Sequence, residues 1–149
     1  MMPKQKILWI DDEFADVLHG LIAYVDELES KKGGFEVVRI PHPDEALERL
    51  EQEAEDFACF IVDIVLPHGE RITKGESQAG NLAGIILKRK ILEMEKYRDV
   101  PVVVLTALPC GGQIVTQHGE ADWYFKADVS AEALREIIQN KIKEGKNER

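Results

Sequence analysis

Asp11, Asp12, Asp63, Thr106 and Lys126 are the residues whose types, taken together, describe a reaction. Each stands at the end of an apolar run. Ile7–Ile10 leads into Asp11, Asp12 and Glu13, Ala58–Val62 into Asp63, Val102–Leu105 into Thr106, and Trp123–Phe125 into Lys126. Runs with so little polar alternation read as strands buried on both faces of a parallel sheet. A doubly wound sheet delivers the carboxyl ends of its strands to one rim, where ligands bind, so these distant residues converge. Alone, Asp63 is most simply a solubilising loop acid; its company makes it a candidate for chemistry.

Three carboxylates in one crevice are costly unless a cation compensates them or one is protonated. Oxygen ligands without His or Cys suit a hard ion, which makes Mg²⁺ the natural cofactor. A carboxylate can accept a phosphoryl group as nucleophile, giving an acyl phosphate. The transferring group then needs positive charge and donors on its oxygens, which Mg²⁺, the Lys126 ammonium and the Thr106 hydroxyl supply. The parts describe phosphorylation on Asp63.

The elements that position these residues follow from periodicity. After the first strand, Glu13 to Leu28 reads as a helix with Leu18, Leu21, Ile22, Val25 and Leu28 on one face. Gly33 and Gly34 end it, and Phe35 to Ile40 alternates enough to be an edge strand. Pro43-Asp44-Glu45 opens a short helix that buries Ala46, Leu47 and Leu50. His68 to Gly80 is polar, glycine-containing and aperiodic, a long mobile loop beside Asp63. Asn81 is an N-cap type for a helix reaching towards Asp99; a weak helix is expected around Gln113 to His118, and a last one from Ser130. The sum is an α/β three-layer sandwich with a five-stranded parallel sheet, one domain over residues 1–149, with a frayed tail over 144–149.

Composition narrows the function classes. A net charge of −9 argues against direct nucleic-acid binding, which needs a basic surface, and points to protein partners. No apolar segment approaches the ~20 residues that span a bilayer and no signal-peptide order is present, so a cytoplasmic location is expected. Cys59 reads as a small buried hydrophobe and Cys110 as a loop thiol.

Ile7-Leu8-Trp9-Ile10-Asp11-Asp12-Glu13, Ile61-Val62-Asp63-Ile64-Val65-Leu66-Pro67, Pro101-Val102-Val103-Val104-Leu105-Thr106-Ala107, and Gly119 with Trp123-Tyr124-Phe125-Lys126 together resemble the receiver domain of two-component response regulators. The resemblance covers essentially the whole chain in the family's order. It implies a flavodoxin-like (βα)5 fold, and a phosphoacceptor rather than an enzyme. It also implies a histidine kinase or phosphotransfer protein as donor to Asp63, and a downstream protein target. By the same resemblance, Asp12, Asp63 and the Val65 carbonyl ligate Mg²⁺ and Asp11 assists through water. Thr106 and Lys126 bind phosphoryl oxygens and Trp123 holds the switch-aromatic position beside Thr106. Val65 and Leu108 flank the phosphoryl group; being apolar, they imply slow self-dephosphorylation. With nothing left after the last helix for a fused effector, a stand-alone receiver is expected.

The chain departs from the family pattern in three places. Ala127 follows the lysine where proline is usual, the loop after Pro67 is long, and the element between Thr106 and Trp123 is short and glycine-containing. Ala127 and the weak element between Thr106 and Trp123 suit an alternative, a pseudo-receiver that serves only as an interaction surface; the intact acids, Thr106 and Lys126 count against it. A phosphohydrolase of the haloacid-dehalogenase type, with Asp11 as nucleophile, would want acid, any residue, then Asp. Asp11-Asp12-Glu13 misses that pattern.

Overall fold

The computed structural model describes residues 3–17, 20–78, 82–107 and 122–147. The apolar runs become strands β1 (Gln5–Ile10), β2 (Phe35–Ile40), β3 (Cys59–Val62), β4 (Val102–Thr106) and β5 (Trp123–Phe125) of one parallel sheet in the order β2-β1-β3-β4-β5. Helices α1 (Ile22–Glu29), α2 (Pro43–Glu51), α3 (Ala83–Leu92) and α4 (Ala131–Asn147) accompany it. The expected doubly wound α/β fold is therefore present, with β2 at an edge. The helix expected around Gln113 to His118 lies outside the described residues, as do Leu18, Asn81, Leu108, Cys110 and Gly119.

Side chains alternate across the sheet and feed two cores. Leu8, Ile10, Phe60, Val62 and Val102 pack with Leu47, Leu50, Leu87 and Ile91 of α2 and α3. Ile7, Trp9, Cys59, Ile61, Val103 and Leu105 pack with Val25, Leu28, Leu134 and Ile138 of α1 and α4. Ile7 to Ile10 and Cys59 to Val62 are all fully buried. A run that must satisfy apolar layers on both sides has no place for a polar residue until it leaves the sheet, which is why the first acids come at the strand ends.

The first helix is shorter than its periodicity suggests. Asp11 accepts the Glu13 N–H at 3.0 Å and caps a 3-10 turn over Asp12–Ala15, so the α-helix starts only at Ile22. Ile22, expected to face inward, is exposed, while Leu21, Val25 and Leu28 are buried. The last helix, by contrast, continues through Asn147, past the position where fraying is expected.

The segment after Pro67 is tethered rather than loose over its described part. Asp44, in the first turn of α2, accepts the N–H groups of Glu70 and Arg71 at 3.0 and 3.1 Å. Gly69 N–H donates to the Ile72 carbonyl at 2.7 Å, and Ile72 is fully buried in the α2–α3 core. Ser77, also buried, donates its hydroxyl to Thr73 O at 2.8 Å and accepts Leu82 N–H at 2.9 Å. The one large apolar residue of a polar stretch thus anchors it, and removing Ile72 would open the core.

Candidate functional site

Register brings the acids together. Ile10 pairs with both Ile40 and Val62, and the ladder runs one step beyond the strands: Asp11 N–H donates to Ile40 O at 3.0 Å and Asp63 N–H to Ile10 O at 3.1 Å. β1 and β3 flank the point where the winding of the sheet reverses, and a crevice opens outside their carboxyl ends. Thr106 pairs with Phe125 on the far side, and Lys126 follows directly.

Lys126 closes the crevice with its ammonium 2.7 Å from Asp11 Oδ2, 2.6 Å from Glu13 Oε2 and 3.6 Å from Asp63 Oδ2. Asp11 is fully buried; burial raises its carboxyl pKa against the pull of Lys126. Asp63 is nearly as buried, and burial, reinforced by Asp11 and opposed by Lys126, pushes its carboxyl up to about 6. Burial alone would lower the lysine, but Asp11 and Asp63 outweigh it and hold the ammonium above its usual range. One cation therefore serves several acids.

Asp11, Asp12 and Asp63 each offer an oxygen within 4.8 Å of the others, with Asp12 exposed and the other two buried. Opposite ligands of an Mg²⁺ lie about 4.2 Å apart, so the three carboxylates need little adjustment to share one. The donor set is all oxygen, and burial together with the neighbouring Asp11 disfavours the Asp63 carboxylate, a cost that a hard cation in the crevice would relieve. The residues fit the ion.

Of the remaining candidates, Thr106 is fully buried at the end of β4. Val65 packs, half-buried, beside Ile64 and Leu82, and Trp123 joins the same cluster. The Trp123 ring meets Phe125 edge-on at 5.1 Å between centroids. After Lys126 the backbone enters a 3-10 turn, Lys126–Asp128, and no cis peptide occurs among the described residues.

Three residues that sequence reasoning did not single out complete the site. Gly84 lies at the start of α3 and donates its N–H to Ile64 O at 2.8 Å; a Cβ there would sit 1.7 Å from the Asp63 carbonyl oxygen. Glycine inside a helix costs about 1 kcal/mol relative to alanine, and that cost is the signal that could have marked it. Glu13 is the third acid of its run and grips Lys126. Tyr24, on the α1 face that carries Leu21 and Leu28, shares its hydroxyl proton between the carbonyls of Lys126 at 2.8 Å and Val129 at 2.7 Å. It ties the turn that carries Lys126 to α1. Tyr24→Phe should lower stability by about 1 kcal/mol, measured as the urea midpoint, because the Val129 carbonyl loses the hydroxyl and the Lys126 carbonyl keeps only the Val129 N–H at 3.4 Å.

No family model and no curated sequence matches the chain. Solved structures do. A response-regulator receiver domain protein from Clostridium thermocellum is 20% identical with a TM-score of 0.67, over 97% of this chain and 99% of the other. A chemotaxis response regulator of Vibrio cholerae is 20% identical with a TM-score of 0.63, over 93% of this chain and 98% of the other. The signal receiver domain of a signal-transduction histidine kinase from Syntrophus aciditrophicus is 19% identical with a TM-score of 0.65, over 93% of this chain and 90% of the other. The sheet order, the helices on both of its faces and these neighbours agree: the chain has the fold of a response-regulator receiver domain.

Proposed function

We propose that the chain is a phosphorylation-controlled signalling module whose acceptor is Asp63. The observation that carries this is the crevice itself: a nearly buried carboxylate with a raised pKa lies at the switch point between Asp11, Asp12 and the Lys126 ammonium. A structural ion pair would match charges, whereas among the described residues of this crevice Lys126 faces Asp11, Glu13 and Asp63 together.

In the reaction, an Asp63 carboxylate oxygen attacks phosphorus while the bond from phosphorus to the donor breaks. The leaving group, a histidine imidazole or a small carboxylate, departs with the electron pair. Lys126 compensates charge gathering on the phosphoryl oxygens and the Thr106 hydroxyl donates to one of them. Asp11 holds Lys126 at the site, and α3, seated by Gly84 against the Asp63 backbone, fixes the acceptor. Asp12, Asp63 and the Val65 carbonyl, with Asp11 assisting, would hold Mg²⁺, which would supply further positive charge to the phosphoryl oxygens.

The donor on this reading is a histidine kinase or phosphotransfer protein, and the output is binding of a protein target. The acidic surface disfavours direct nucleic-acid contact. None of the described helices is long and apolar enough to cross a membrane, and a cytoplasmic location belongs to the same proposal. The chain acts as a phosphoacceptor that assists its own labelling, not as an enzyme with an independent substrate.

The test is intact-mass measurement after incubation with acetyl phosphate. One phosphoryl group should be gained with Mg²⁺ and none with EDTA, and peptide mapping should place it on Asp63. Absence of any gain, with acetyl phosphate and with a histidine phosphotransfer donor, would leave the pseudo-receiver reading in its place.

A further inference from the structure

An ammonium has three donors, and the nearest acids in this crevice divide those of Lys126 unequally. Asp11 Oδ2 at 2.7 Å and Glu13 Oε2 at 2.6 Å take full hydrogen bonds, whereas Asp63 Oδ2, at 3.6 Å, lies outside hydrogen-bond range. The residue proposed to bind the phosphoryl group is thus drawn off the acceptor. The two carboxylates that hold it are not equivalent. The Asp11 side chain is wholly buried and would be left uncompensated without the ammonium, while the Glu13 side chain is 40% exposed and can be satisfied by water.

Backbone geometry holds Glu13 in place. Asp11 uses its second oxygen, Oδ1, to accept the Glu13 N–H, so the same acid that binds Lys126 also fixes the turn from which Glu13 reaches it. Asp11, Glu13 and Lys126 form a closed hydrogen-bonded set, with Asp63 left at ion-pair distance only. We propose that Glu13 is a positioning residue that keeps Lys126 in a resting position, so that a phosphoryl group arriving on Asp63 must win Lys126 from Glu13. The inference rests on the phosphoacceptor reading and adds a regulatory element to it. Glu13 sets how readily the site is labelled without touching the reacting atoms.

Glu13→Gln and Glu13→Ala should raise the second-order rate constant for labelling by acetyl phosphate roughly three- to tenfold, the range expected when a partly exposed ion pair no longer competes. The increase should persist from about 0.1 M to about 0.5 M salt. Mere repulsion of the anionic donor by the Glu13 charge is a screened, longer-range effect and would fade over that range. In metal-free crystals of Glu13→Gln, Lys126 Nζ should move within hydrogen-bond distance of an Asp63 oxygen, a readout independent of labelling. Mg²⁺ affinity and the thermal midpoint should stay near wild type.

The outcomes separate. If wild-type protein takes no phosphoryl group from any donor, the phosphoacceptor reading falls and this inference with it. If wild type is labelled on Asp63 but both variants are labelled no faster, or faster only at low salt, the resting-position role is wrong and the acceptor reading stands. An unmoved Lys126 in the Glu13→Gln crystals likewise overturns it.

Discussion

Gly84→Ala is expected to destabilise the protein by about 3 kcal/mol, the upper range for an overpacked methyl group, even after the gain of helix propensity. The added Cβ would lie 1.7 Å from the Asp63 carbonyl oxygen and 2.7 Å from both the Asp63 carbonyl carbon and the Ile64 Cα. All three are backbone atoms, so no rotamer change can relieve the contact. Either α3 withdraws, breaking the Gly84 N–H to Ile64 O bond of 2.8 Å, or the backbone that carries the acceptor shifts. Labelling should therefore fall together with the urea midpoint. Gly75→Ala is the internal control, since a Cβ there meets nothing within 4 Å and should change stability by no more than about 0.5 kcal/mol. A Gly84→Ala protein as stable as the Gly75→Ala protein would show that α3 does not need this approach.

Asp63→Asn should abolish labelling and, in the absence of Mg²⁺, make the protein more stable above pH 6. Burial and Asp11 push the Asp63 carboxyl from an ordinary 3.8 to about 6, so the folded chain holds this proton more tightly than the unfolded chain does. Stability then falls as pH rises between those values, and the cost is complete above the folded pKa. Two units correspond to about 3 kcal/mol, so a gain of about 2 kcal/mol is the expected order for the isosteric amide, which can still accept the Ile64 N–H. Urea unfolding of both proteins at about pH 5 and about pH 8, with EDTA, should show the difference growing with pH. Mg²⁺ should then narrow the gap by stabilising the wild type more than the variant. Identical pH slopes would mean that Asp63 titrates normally and the crevice is better compensated than its geometry indicates. Labelling that survives Asp63→Asn would remove Asp63 as the acceptor.

What the sequence by itself determined is what local pattern can carry. The doubly buried strands needed unbroken apolar residues, so Ile7–Ile10, Cys59–Val62 and Val102–Leu105 announced themselves, and each acid, hydroxyl or ammonium was legible because it ended such a run. The parallel sheet and its rim then followed from alternation of strand and helix. Periodicity failed where a side chain answered to something outside its own window. The turn capped by Asp11 delayed α1 and left Ile22 in solvent, and Ile72 pulled a polar segment onto the α2–α3 core. Gly84 went unmarked by local pattern, because what requires a glycine there is the Asp63 backbone packed beneath it. The division of Lys126 between Asp11, Glu13 and Asp63 was likewise decided only in three dimensions. Residue type says which groups can pair, but the choice among three acids is set by differences of about 1 Å and by how much water each one keeps, and those are properties of the packed rim.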